Sequence, residues 1–167
     1  MAILTAIKGK QPDGIFYGGM DAQAGPMLRQ MVQLGLTTQK LMGGDGICTA
    51  ELAKLSEGAP SLANAICAVG GAAVEKMNGG VEWRKRYEEK FAGQFQVYSP
   101  YTYDATMLLV DAMKRADSAD PAVYLPKLAA SDYQGVTAKI KFDDKGEELN
   151  AASTLFTYKD GKKVTME

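Results

Sequence analysis

The sequence predicts an α/β fold with a parallel βαβαβ core, additional helices and C-terminal β-hairpins. Three observations carry this. Up to Gly71, short apolar segments ending in glycine alternate with segments of helical period. Two helix starts, Ser99-Pro100 and Asp120-Pro121, then introduce further helices. Beyond Gly135 the hydrophobic period drops from about 3.6 to about 2, the signature of strands.

The elements follow in order. Residues 2–9 read as a short helix stopped by Gly9, and Lys10 to Asp13 as a turn. Gly14–Tyr17 is a strand ending at Gly18-Gly19. Pro26 suits the first turn of a helix carrying Ala24, Met27, Leu28, Met31 and Leu34 and capped by Gly35. Lys40–Met42 is a second strand, closed by Gly43-Gly44-Asp45-Gly46. Thr49 is placed to cap a helix with Leu52 and Leu55, which ends by Gly58 and Pro60. Ala65–Val69 is a third strand, ending at Gly70-Gly71. Short connections between such units dictate parallel strands with crossover helices.

A helix spans Val81 to Phe91 with Trp83, Tyr87 and Phe91 in its apolar stripe, read as core. Ser99 caps the next helix, which buries Ala105, Leu108, Leu109 and Ala112, and Asp120 caps one carrying Leu125 and Leu128. Val136, Ala138, Ile140 and Phe142 then alternate with polar residues as a strand. Asp143 to Gly146 turn the chain, and Leu155–Tyr158, Asp160-Gly161 and Lys162–Val164 read as a hairpin.

Composition narrows the function. The chain has 167 residues, 46% hydrophobic and 23% charged, enough for an ordinary folded core. Its 19 Lys plus Arg against 20 Asp plus Glu give no basic balance for nucleic acid. No apolar run approaches the roughly 20 residues of a membrane helix, so no membrane insertion is expected. Met1 is followed by Ala2-Ile3-Leu4-Thr5 and then Lys8 and Lys10, which does not read as a signal peptide. There is no histidine, which removes Ser-His and Cys-His catalysis and imidazole metal sites. No activated base or nucleophile assembles from what remains, so a binder rather than an enzyme is expected, with no metal and no cofactor.

Chemistry concentrates at the glycine-bearing strand ends. In a parallel sheet these share one edge, where ligands of open α/β sheets bind. Neither GxxxxGK[ST] nor a GxGxxG after a strand is present, so the glycines are not a phosphate loop. Asp45, between Gly44 and Gly46, suits a ligand cation such as an α-ammonium, or else simply turns the chain by bonding its own backbone. Tyr98, Tyr101 and Tyr103 bracket a helix start, where they wall a pocket or pack the helix. Cys48 and Cys67 follow or occupy successive strands and either pair or stay as buried thiols.

These residues resemble a known family. Phe16-Tyr17-Gly18-Gly19-Met20, Ala24-Gly25-Pro26-Met27-Leu28-Arg29-Gln30, Leu34-Gly35-Leu36 and Met42-Gly43-Gly44-Asp45-Gly46 resemble the periplasmic branched-chain amino-acid-binding proteins. Those are the leucine/isoleucine/valine-type solute receptors of ABC importers. The likeness continues through Tyr101-Thr102-Tyr103-Asp104-Ala105, Asp117 to Pro121, Tyr133 to Thr137 and Phe142 to Gly146. It implies a type I periplasmic-binding-protein-like fold of two α/β lobes, of which this chain is the carboxy-terminal half. Residues 1–70 then correspond to the second half of the carboxy-terminal lobe, 71–139 to a return into the amino-terminal lobe, and 140–167 to the closing hairpins.

The resemblance also implies a site. Asp45 stands where many relatives hold the ligand α-ammonium with Glu. Met20 falls where a tyrosine ring closes over the ligand, and Tyr103 matches the aromatic from the other lobe. Tyr17 and Gly44 complete the ligand-binding set. The implied function is capture of an amino acid, branched-chain or similar aliphatic, by hinge closure, with an ABC permease as partner and a periplasmic location. The alternative within the same fold is a ligand-sensing domain of an amide- or amino-acid-responsive regulator. Half of a two-lobe protein leaves Gly14–Tyr17 and Lys40–Met42 with open edges and uncovers the helices from Val81 to Ala130. A homodimer is therefore expected for this chain. In an oxidising compartment the two cysteines pair.

Overall fold

A computed structural model describes residues 1–149 and 151–166. The chain forms two units, Met1–Gly70 together with the residues from Ser153 onward, and Gly71–Ala152.

In the first unit, helix α1 (Ala2–Gly9) leads to strand β1 (Gly14–Tyr17), helix α2 (Asp21–Gln33) and strand β2 (Lys40–Gly43). A 3-10 turn at Asp45–Ile47, helix α3 (Glu51–Leu55) and a second 3-10 turn at Pro60–Asn64 precede strand β3 (Ala65–Gly70). β1, β2 and β3 pair in parallel, with Ile15 opposite Leu41 and Leu41 opposite Ala65. Alternation decides which face is buried. Ile15, Leu41, Ala65, Cys67 and Val69 are buried, as are Leu28, Met31 and Leu52 from α2 and α3, while Phe16 and Met42 on the opposite face are exposed. Truncating one of these buried leucines to alanine removes about 2–5 kcal/mol.

Helix α2 differs from expectation. It starts at Asp21, so Pro26 lies in its interior rather than its first turn. Asp21 in the first turn suits the positive helix end. Pro26 cannot make one ladder bond, but its neighbour Gly25 lets α3 come close: a Cβ there would lie 2.5 Å from Leu55 Cβ. The other end of α2 is as expected. Gly35 takes φ +73°, and the Gly35 and Leu36 N–H groups donate back to Val32 O (2.9 Å) and Met31 O (2.8 Å).

The chain returns to this sheet at its end. Strands β6 (Ser153–Lys159) and β7 (Lys162–Thr165) form a hairpin whose turn residues Asp160 and Gly161 both have positive φ, as a two-residue turn requires. β6 lies antiparallel to β3, giving the order β1-β2-β3-β6-β7. The expectation that Lys40–Met42 forms an open edge is therefore corrected. β2 is paired on both sides, and the edges are β1 and β7.

The second unit contains helices α4 (Gly80–Lys90), α5 (Ser99–Ala116) and α6 (Pro121–Ala129), and a strand pair, β4 (Asp132–Gln134) with β5 (Lys139–Lys141). Asp120 caps α6 by accepting from Ala122 N–H at 2.9 Å, as expected. Ser99 does not cap α5; its hydroxyl accepts from Gln96 N–H outside the helix (3.0 Å). The strand expected over Val136–Phe142 forms only at Lys139–Lys141, with an isolated bridge at Phe142. Asp104 explains the loss. Its carboxylate accepts from the N–H groups of Val136 (2.9 Å) and Thr137 (2.7 Å), so neither is offered to a neighbouring strand. Because β5 pairs with β4, it groups with the second unit.

Cys48 and Cys67 form a disulfide with Cα atoms 5.4 Å apart. The cross-link joins positions 19 apart in the sequence, a loop for which chain entropy predicts about 3 kcal/mol of stabilisation. Replacing both cysteines by alanine should lower urea-unfolding stability by that order. A thiol assay on denatured, unreduced protein should find no free thiol; two free thiols would contradict the pairing.

Candidate functional site

β1 and β2 run in parallel and end on the same side of the sheet, with Tyr17 opposite Gly43. The segments that leave these ends lie against each other because glycine permits it. A Cβ on Gly46 would stand 2.6 Å from Gly19 O and 2.8 Å from Met20 Sδ, and one on Gly43 would stand 2.9 Å from Tyr17 O. A Cβ on Gly19 would strike the Tyr17 ring. Tyr17, Met20, Gly44 and Asp45 are thus brought together at one edge. Met20 is 55% exposed, and Asp45 is exposed at the start of its 3-10 turn.

The segment after Asp45 is held from several sides. Cys48 is bonded to Cys67 in β3. The Tyr158 hydroxyl, from β6, lies between Thr49 O (2.7 Å) and Ile47 O (3.1 Å). Lys163 Nζ, from β7, donates to Cys48 O at 2.9 Å. The cap position of α3 is Ala50 rather than Thr49; from one residue earlier, Thr49 Oγ1 accepts from Leu52 N–H at 3.2 Å and donates to Asp21 Oδ2 at 2.6 Å, which ties the segment to α2. Burial, and then the charge of Asp21, push the Tyr158 phenol well above the ordinary tyrosine range. Neither Tyr158 nor Lys163 stands out in the sequence as more than part of a hairpin, and the 28-residue separation of Asp21 and Thr49 carries no local signal.

Tyr103 belongs to the other unit, on α5. Its ring centroid lies 5.5 Å from that of Trp83, and it is 44% exposed. With Trp83, Arg86, Tyr133, Gln134 and Asn78 it lines a cavity of about 230 Å³. Tyr101 donates to Ala72 O at 3.1 Å and packs against Gly71. Of the stripe read as core, Trp83 is buried but Phe91 is 46% exposed, so the stripe runs from core to surface. Among the described residues no group of three His, Cys, Asp or Glu side chains could hold a metal ion. No described helix is long and apolar enough to cross a membrane.

The sequence profile of the family described as "Periplasmic binding protein" matches residues 1–163. The chain belongs to that family. An amino acid binding protein of Pseudomonas aeruginosa is 33% identical over 149 residues, covering 87% of this chain and 38% of that protein. Leu/Ile/Val-binding protein homolog 1 of Brucella abortus is 26% identical over 96% of this chain and 42% of its own length. A leucine binding protein structure from Thermotoga maritima superposes with a TM-score of 0.84 at 23% identity, over 99% of this chain and 47% of that one. The periplasmic-binding-protein fold that the resemblance implies is thereby established. The chain spans about two fifths of the length of the curated relatives it matches.

In this periplasmic-binding-protein chain the Tyr158 hydroxyl yields a sign-specific expectation. Its folded pKa is raised, so its contribution is fully present below the unfolded phenol pKa of about 10 and is lost as pH rises beyond it. Tyr158→Phe should be less stable near neutral pH by about 1–3 kcal/mol, the cost of leaving buried carbonyls without a donor. It should also lose less stability than the parent between about pH 9 and pH 11. Parallel stability–pH curves from urea unfolding would show that Tyr158 is not the group responsible.

Proposed function

We propose that this chain is part of an extracytoplasmic solute-binding receptor that captures an amino acid, branched-chain or similar aliphatic, for an ABC importer. The observation that carries the reading is the exposed Asp45 carboxylate at the sheet edge, on a segment cross-linked and hydrogen-bonded to β3, β6, β7 and α2. Preorganised in this way, a carboxylate binds an α-ammonium without ordering a loop first. The Met20 thioether beside it offers a flexible apolar contact for an aliphatic side chain, and Tyr17 and the Gly44 backbone form the adjoining edge. Ligand bridging two lobes favours the closed form, and the closed form engages the permease. No bond of the ligand is made or broken. The names of the relatives, an amino acid binding protein and a Leu/Ile/Val-binding protein homolog, support the ligand class.

In the complete receptor, Asp45→Asn should weaken leucine binding about tenfold to a hundredfold by calorimetry, as expected for loss of a charged hydrogen bond of about 1.5–3 kcal/mol. An unchanged Kd would remove Asp45 from the site.

We also propose that the chain by itself associates as a homodimer. One sheet face is left apolar and exposed: Phe16 at 72%, Leu155 at 50%, Met166 at 41% and Met42 at 38%, with Phe16 paired to Met42 across β1 and β2. Light scattering at micromolar concentration should give twice the 17.9 kDa chain mass. The chain mass itself, independent of concentration, would contradict the dimer.

A further inference from the structure

The second unit holds a cavity of its own, lined only by residues of that unit. It is built by α4, α5 and the β4 strand, with Gly135 and Val136 as part of its wall. Its frame is anchored by Asp104, which is 2% exposed and accepts from Val136 N–H (2.9 Å), Thr137 N–H (2.7 Å) and Thr137 Oγ1 (2.5 Å). Those donors engage the carboxylate. Gly135 is required there, since a Cβ would run into the Asp104 carboxylate. Three aromatic rings, Trp83, Tyr103 and Tyr133, line this frame together with one cation, Arg86. Arg29 and Arg115 each hold a carboxylate, and Arg84 sits over the Phe95 ring at 4.3 Å; among the described residues Arg86 makes no ion pair. Gln134 turns its Nε2 onto Gly135 O (3.1 Å), which leaves the guanidinium as the charged donor of the wall.

We propose that this cavity is a binding site for a small, flat organic carboxylate, with Arg86 as the group that takes the anion. A guanidinium meets a carboxylate with two parallel N–H bonds. Aromatic walls accept a ring by offset or edge contact. A volume of about 230 Å³ is below the roughly 300–1,000 Å³ of drug-sized sites, so the occupant is about one ring in size. The site needs no residue of the first unit, so its failure would leave the Asp45 reading untouched.

Trp83 is the single tryptophan of the chain and lines the cavity, so its emission reports occupancy directly. The test titrates the intact chain with benzoate and with benzamide, its uncharged counterpart, at constant ionic strength. The expected result is a saturable change in Trp83 emission with benzoate and binding of benzamide at least about tenfold weaker. Arg86→Gln should reduce benzoate to the benzamide level, while Arg84→Gln, on the same helix, should bind as the parent does. A merely linear response to benzoate, equal binding of benzoate and benzamide, or an Arg86→Gln curve matching the parent would each overturn the proposal.

Discussion

The segment from Ile47 to Thr49 is the constraint on which the first unit depends. Its three carbonyls receive Tyr158 and Lys163 from the C-terminal hairpin, Cys48 is bonded to β3, and Thr49 bonds the first turn of α2. Each interaction taken alone is modest, on the order of 1 kcal/mol for a neutral hydrogen bond. Together they leave the backbone beside Asp45 little freedom. A charged side chain on such a segment meets its ligand with most of the ordering already done, which is how a short loop becomes a binding edge.

Glycine makes the edge possible. The ends of β1 and β2 approach so closely that side chains at Gly43 or Gly46 would collide with backbone or with Ile47 and Met20. The same close approach places Met20 over Gly46 and the Tyr17 ring over Gly19, so both side chains are seated by the absence of others. The pattern therefore needs no phosphate ligand to explain its glycines. It is a steric solution for packing two strand ends side by side.

Much of this was legible in the sequence because it is local. Strand β1, the Schellman end at Gly35, the Asp120 cap and the Asp160-Gly161 hairpin each follow from residues within one turn of one another. What was not legible is long-range. Pro26 looks like a helix start, but Asp21 and the contact of Gly25 with α3 extend the helix before it. The alternating run from Val136 looks like one strand, but Asp104, more than thirty residues earlier, takes the N–H groups that strand pairing would need. Tyr158 reads as an ordinary hairpin residue until β6 is placed beside β3, which brings its hydroxyl over the Asp45 segment. The four candidate residues of the first unit are legible in the sequence because they cluster at strand ends; the residues that hold their segments are not, because tertiary pairing alone puts them there.

The central claim is that Asp45 recognises a positive charge on an aliphatic ligand. The most direct measurement compares leucine with 2-hydroxy-4-methylpentanoate in the complete receptor by calorimetry. The two share carboxylate and side chain and differ only in ammonium against hydroxyl. If Asp45 is the ammonium acceptor, the hydroxy acid binds at least about tenfold more weakly, because the carboxylate loses its charged partner. Equal affinities for the two would contradict the account.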